Sequence, residues 1–251
     1  MGISCVTFDL WQTLLMDTRE LGLARMQVRL RGARDALTGA GEEYSEDRVR
    51  EAYRECYRSC HGIRAEGRDV SFAEQIEIFI GHIDPALPAR LDPGVVQSIS
   101  DSYADSLFDY PPPPHEDAAR VLEAIRTAGY RMGLISNTGM TPGVTFRAYM
   151  ERLGLLEYFE VHTFSDEVRL AKPALEIFRG TLEAMGAAAG ETVHVGDHLL
   201  NDVYGAKQAG MKTVWIETHD DRRTPVDVEP DSTVPSLGCV SDAVARLAAS
   251  G

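Results

Sequence analysis

One short apolar run stands ahead of a long stretch in which no strand can be found, and this arrangement constrains the fold most. Cys5–Phe8 (CVTF) reads as a buried strand ending at Asp9. From residue 17 to residue 108 the apolar residues recur at helical spacing instead: Leu23, Met26 and Leu30; Val49, Ala52, Tyr53 and Cys56; Phe72, Ile76, Phe79 and Ile80; Val95, Ile99 and Tyr103. That spacing predicts helices, because it places one apolar face on each 3.6-residue turn. Pro111–Pro114 follow, a stiff run that cannot continue a helix and reads as a boundary or a hinge strut. Beyond it helices are predicted at 116–128, 145–153, 174–185, 203–209 and 240–248, and strands at 130–135, 161–164, 193–195 and 213–216. Strands separated by helices of this length form a mainly parallel sheet covered on both faces.

The expected fold class is therefore α/β. A Rossmann-like, mainly parallel sheet core comprises residues 1–16 and 109–251, and an inserted all-helical cap domain comprises residues 17–108. Hydrophobic residues make up 44% of the 251, enough to bury a full core. The net charge of −14 argues against a nucleic-acid partner, since phosphate backbones demand basic patches. No stretch approaches the roughly 20 apolar residues of a membrane span, and the N-terminus lacks the basic region of a signal peptide. Cys5, Cys56, Cys60 and Cys239 form no disulfide-like framework, which suits the cytoplasm. Cys56 and Cys60 share a helix face before His61, but with no second ligand pair nearby they read as half-buried thiols on that face. A small-molecule substrate and a monomer or homodimer are expected.

Four segments carry the chemistry, each at or just beyond the C-terminal end of a predicted strand, where ligands bind in open parallel sheets. They are Phe8-Asp9-Leu10-Trp11-Gln12-Thr13-Leu14, Leu134-Ile135-Ser136-Asn137-Thr138-Gly139, Leu170-Ala171-Lys172-Pro173, and Val195-Gly196-Asp197-His198-Leu199-Leu200-Asn201-Asp202. Asp9 is placed to attack as a nucleophile. Asp197 and Asp202 add the oxygen ligands that Mg²⁺ prefers. Ser136 and Asn137 can donate hydrogen bonds to phosphoryl oxygens, and Lys172 brings positive charge among the acids. Taken singly, each segment has an ordinary reading: a helix cap or turn former at Asp9, a turn at 136–139, a surface lysine before a helix, solvated loop acids. Their common position and order make coincidence improbable.

In these segments, "DLWQT", "LISN", "AKP" and "GDHLLND", the sequence resembles the haloacid dehalogenase superfamily, most of whose members are phosphatases. Residues 17–108 fall where capped members carry their insert. The resemblance implies Asp9 as nucleophile, Lys172 as its charge partner, and Ser136 as phosphate ligand, with Asn137, Thr13 and Trp11 counted with it as substrate-binding. It implies a Mg²⁺ site of Asp9, the main-chain carbonyl of Trp11, Asp197 as direct ligand and Asp202 in support.

The departure is Trp11. Phosphatases of the family carry there a second aspartate that protonates the leaving oxygen and then activates water. Indole does neither, since its N–H only donates. Dehalogenases of the family carry a bulky aromatic instead. Members that cleave phosphonates use a cap lysine, and this chain has no lysine between Asp9 and Lys172. Arg25, Arg29, Arg31 and Arg34 read as a solvated helix face, with a carboxylate or halide clamp as the alternative. His198 is the candidate substitute proton donor, and Gln12 a candidate for positioning water. The expected function is a Mg²⁺-dependent phosphatase acting on a small phosphorylated molecule. The alternatives are a 2-haloacid dehalogenase-like hydrolase working through an Asp9 ester, and a weakly active ligand-binding protein.

Overall fold

The helical stretch opens each of its long helices with a side-chain cap, and these caps set where the helices begin. In the computed structural model, which describes residues 2–217 and 227–250, Thr18 accepts the Leu21 N–H at the start of α1 (Arg19–Gly39). Ser45 does the same for α2 (Glu46–Ala65). Ser71 and Glu74 form a reciprocal capping box on α3 (Phe72–Ile83). A short turn, α4 (Leu87–Arg90), leads to α5 (Pro93–Asp109), capped by Asp92 with proline at its first position. Helix α1 packs on α5 and α2 on α3. They enclose an apolar cluster that includes Leu30, Phe79, Ile99 and Tyr103, joined by Met140 from outside the helical stretch. Cys56 and Cys60 are wholly buried there, so the half-buried reading is corrected: the thiols pack as small apolar groups.

After α5 the chain runs back beside its own exit. Met16 donates to Pro113 O (2.8 Å), His115 donates to Leu14 O (2.9 Å), and Leu15 and Pro114 form an antiparallel bridge. The proline run is thus paired to the outgoing strand of chain. The alternation beyond it is α6 (Ala118–Thr127), β2 (Arg131–Ser136), α7 (Gly143–Arg152), β3 (Val161–Phe164), the short α8 (Ser165–Val168), α9 (Leu175–Met185) and β4 (Thr192–Gly196). A π-helical turn, Leu199–Tyr204, runs into α10 (Gly205–Gln208) where one plain helix is expected, and β5 (Lys212–Ile216) follows. Strand β6 (Ser232–Val234), three residues long and too short to show a period, was not anticipated; α11 (Val240–Ala249) closes the chain.

Among the described residues one sheet of six parallel strands forms, in the order β3-β2-β1-β4-β5-β6, with β1 (Cys5–Phe8) inside it. This is the Rossmann-like α/β arrangement. Strand β1 lies where the order reverses, the place at which such sheets open a crevice beyond their carboxyl ends. Phe8 pairs with both Leu134 and Val195, so Asp9, Ser136 and Asp197 emerge at one edge.

The helical stretch also touches the sheet side through a seam. Ala171 donates to Gly67 O (3.0 Å) and Asp69 donates to Arg169 O (3.1 Å), with Arg68 bridged to Leu170. Gly67 has a φ of 78° and sits where a Cβ would come within 2.9 Å of Ala174, so the turn demands glycine. Inside the seam, the buried Asp69 accepts from Arg64 Nε (2.9 Å) and Ser165 Oγ (2.6 Å), and Arg64 also donates to Gly139 O (2.7 Å). No helix among the described residues is long and apolar enough to cross a membrane.

Candidate active site

Apolar burial of β1 carries Asp9 to the sheet edge and fixes it there. Its N–H donates to Val195 O (2.8 Å), and the residue is 5% exposed. The chain then turns tightly, the Leu10 carbonyl accepting from both Leu14 and Leu15, with Gln12 at a φ of 54°. Lys172 Nζ donates to Asp9 Oδ1 at 2.5 Å and to Asp202 Oδ1 at 2.6 Å, all three groups being buried. One carboxylate oxygen from each of Asp9, Asp197 and Asp202 lies within 4.8 Å of the others, the one such acidic or metal-ligating group among the described residues.

Lys172 and Asp202 are held in turn by further contacts. Asn137 grips the Lys172 main chain from both sides, its Oδ1 accepting from Lys172 N (2.8 Å) and its Nδ2 donating to Lys172 O (3.0 Å). The amide expected to bind substrate therefore positions the lysine. Asp202 Oδ2 accepts from His198 N (3.0 Å), and a Cβ at Gly196 would stand 2.4 Å from that carboxylate, so only glycine lets Asp202 fold back. His198, read as a loop residue or a proton donor, caps the π-helical turn: its Nδ1 accepts from Asn201 N (3.2 Å).

The sequence reading missed His194 and Thr7. Thr7 Oγ1 lies 2.8 Å from His194 Nδ1, and His194 Nε2 lies 3.3 Å from Asp202 Oδ1, wholly inside the sheet. Burial pushes the imidazole below its ordinary pKa despite the hydrogen bond to Asp202.

Burial pushes the Asp9 carboxyl up to about 6; Lys172 pulls it down and Asp202 adds to the rise. For Asp202 burial acts in the same upward direction but is outweighed by Lys172 and His194, which hold it well below the usual carboxylate range. Burial would lower Lys172, yet Asp202 and Asp9 outweigh it and keep the ammonium charged. The lysine thus leans electrostatically on Asp202 and leaves Asp9 the more basic acid.

A cavity of about 260 Å³ is lined by Asp9, Trp11, Gln12, Asn137, Lys172, Asp197, His198, Asn201 and Asp202. Of the sequence-derived set only Ser136 and Thr13 do not line it. Both hydroxyls are fully buried and lack a hydrogen-bond partner among the described residues. Gln12 donates from Nε2 to Asp17 O (2.9 Å), which ties it to the turn. The half-buried Trp11 ring packs on Phe146 and lies under Arg25, whose guanidinium carbon is 5.9 Å from the ring centre.

The solvated reading of the α1 arginines is corrected for two of the four. Arg25 and Arg29 are 4% and 3% exposed; Arg25 pairs with Asp17 and Arg29 is wrapped by polar groups. Arg31 is exposed, and Arg34 reaches Glu46 at the surface.

Comparison with known proteins bears on this geometry. The chain is 40% identical over 100 residues to glyceraldehyde 3-phosphate phosphatase of Pyrococcus abyssi, covering 40% of this chain and 41% of that one. It spans about half the length of the curated relatives it matches. Among solved structures it resembles a HAD phosphatase from Thermococcus onnurineus, with a TM-score of 0.63 and 29% identity over 96% of this chain and 98% of that one. It shares its fold with a 2-haloacid dehalogenase from Pseudomonas syringae pv. tomato, with a TM-score of 0.70 and 23% identity over 97% and 99% of the two chains. The family model for haloacid dehalogenase-like hydrolase matches residues 3–210, and the chain belongs to that family.

Proposed function

We propose that the protein is a Mg²⁺-dependent phosphatase of small phosphorylated molecules, with residues 17–108 acting as a cap over a core of 1–16 and 109–251. The observation that carries this is the charge count at the sheet edge. Three carboxylates converge there and one buried lysine answers them, leaving an excess that suits a divalent cation. The donors are hard oxygens, the set Mg²⁺ takes. Asp9, Asp197, Asp202 and the Trp11 carbonyl would hold the ion, which when bound neutralises charge on the phosphoryl group. The curated relative's phosphatase name supports the same reading.

Asp9 attacks phosphorus, forming a carboxylate–phosphorus bond as the bond to the leaving oxygen breaks. Lys172 neutralises the nucleophile and the developing charge. The hydroxyls of Ser136 and Thr13, without a partner among the described residues, would be the donors to the phosphoryl oxygens, although neither lines the cavity in this structure. Water then displaces Asp9 from phosphorus, releasing phosphate. A second reading, dehalogenation through an ester at Asp9, is favoured by Trp11, since a halide leaves without a proton. A panel of aryl, acyl and alkyl phosphates and 2-haloacids, each with and without Mg²⁺, separates the two. Phosphate release that depends on the metal supports the phosphatase, and metal-independent halide release sinks it.

A further inference from the structure

Trp11 also borders a second cavity, larger than the acidic one and not lined by Asp9, Asp197 or Asp202. This space of about 570 Å³ lies across Trp11, whose ring borders both it and the acidic cavity. That size suits a small organic ligand. Its walls come from α1, α2 and the loop that continues from Ser136 and Asn137, with Met26, Tyr53 and Met140 making much of it apolar. Its charge is opposite to that of the molecule. Four arginines, Arg25, Arg29, Arg54 and Arg58, line it against one acid, Asp17, in a chain of net charge −14.

Three of the four are answered. Arg25 pairs with Asp17, and Arg54 and Arg58 both reach Glu51 at the surface. Arg29 is not. Its Nε donates to Ser106 Oγ (2.9 Å) and Tyr103 O (3.3 Å), Nη1 to Tyr53 OH (3.2 Å) and Nη2 to Thr141 Oγ1 (2.8 Å), every acceptor neutral. Among the described residues no carboxylate stands within ion-pair distance of it. Guanidinium has five N–H groups, so each terminal nitrogen keeps one beyond these bonds. A buried cation without a counter-charge is costly, and a ligand that brings the charge removes the cost. The planar fork of the guanidinium matches a carboxylate.

We infer that this cavity takes the leaving-group half of the substrate, and that this half is an apolar body ending in a carboxylate held by Arg29. The inference rests on the phosphatase reading for the end that meets Asp9; the carboxylate end rests on Arg29 alone. Trp11 then serves as the wall over which the substrate bends from one cavity to the other.

The test is a matched pair, 3-(4-phosphonooxyphenyl)propanoate and its carboxamide, which share an aryl leaving group of similar acidity and differ in the distal charge. The native enzyme is expected to favour the acid by about tenfold or more in kcat/KM, the gain carried by KM, as a charge-assisted hydrogen bond provides. Arg29→Lys should shrink that ratio and Arg29→Met abolish it, with thermal melts checking the fold. Calorimetry of the dephosphorylated pair on the native protein measures the same preference without turnover or variant. Equal kcat/KM for acid and amide, or equal binding of their dephosphorylated forms, overturns the inference and leaves the phosphatase standing. A preference that survives Arg29→Met in a folded protein also overturns it. Absence of hydrolysis with an Arg29-dependent preference in binding sinks the phosphatase and supports the cavity assignment.

Discussion

Trp11 and Phe146 meet edge to face, ring centroids 5.0 Å apart and planes at 89°. The indole is therefore a packed wall, and the position two residues after Asp9, the proposed nucleophile, has no group that can move a proton. The first step must then depend on how well the leaving group departs unaided. Rates should fall steeply from acyl and aryl to alkyl phosphates, and the phosphoryl-Asp9 intermediate should build up enough for rapid-quench mass spectrometry. Trp11→Asp should raise alkyl-phosphate turnover by about 10²-fold or more. It should also cost on the order of 1 kcal/mol in stability from the lost ring pair. A flat leaving-group dependence with no trapped intermediate would mean that another group moves the proton.

Asp9 lies buried with its carboxyl pushed up to about 6, so the folded chain holds a proton there that the unfolded chain releases near 3.8. For an acid raised on folding, stability is lost as pH rises through that window. Asp9→Asn should therefore abolish turnover. In chelator-treated protein it should match or exceed native stability at pH 8, by on the order of 2 kcal/mol, an advantage that vanishes below about pH 4. Urea titrations across pH measure this, and a variant much less stable than native at pH 8 would refute the account.

Asp202 has the opposite sign. Its carboxyl is depressed on folding, so the stability it lends is present above its unfolded pKa and is lost as pH falls through the lower folded value. Asp202→Asn takes from Lys172 its dominant partner and should cost about 3–5 kcal/mol at pH 7. The deficit should narrow in strong acid. Denaturant midpoints at pH 7 and pH 2 provide the comparison.

Asp197 is the half-buried member of the acid group, so its removal should weaken the metal with little effect on the fold. Asp197→Asn is expected to lower Mg²⁺ affinity and phosphatase activity by about 10²-fold, on the scale of losing a group that stabilises transition-state charge. Thermal midpoints should stay near native. Activity indifferent to both this change and EDTA would defeat the phosphatase reading and favour the dehalogenase.

Asp9 is legible in the sequence because it ends an apolar run, and such a run places a residue at a sheet edge by burial alone. Lys172 and Asp202 are legible only through the short motifs around them, since Lys172 follows α8 and Asp202 lies inside the π-helical turn. His194 and Thr7 are not: both lie within strands, where a polar residue between apolar neighbours gives no sign that its partner is in the adjacent strand. Arg29 misleads in a different way. Its helix is rich in arginine, and periodicity alone cannot show that α5 and Thr141 close over one of them. The π-helical turn, within which Asp202 folds back against Gly196, is equally hidden.

The seam at Gly67 and Asp69 makes the molecule less modular than its chain order suggests. The main-chain bonds from 67–69 to 169–171 end one residue short of Lys172, so the edge of the helical stretch helps to set where that ammonium stands. Transplanting residues 17–108 from a relative would carry new specificity only if it also reproduced this edge. A graft lacking the tight turn at Gly67 would detune the lysine while leaving every acid in place. The interchangeable unit is therefore the helical stretch together with the loop at 169–172, and shuffling experiments that respect that boundary should retain turnover where those cut at residue 108 alone lose it.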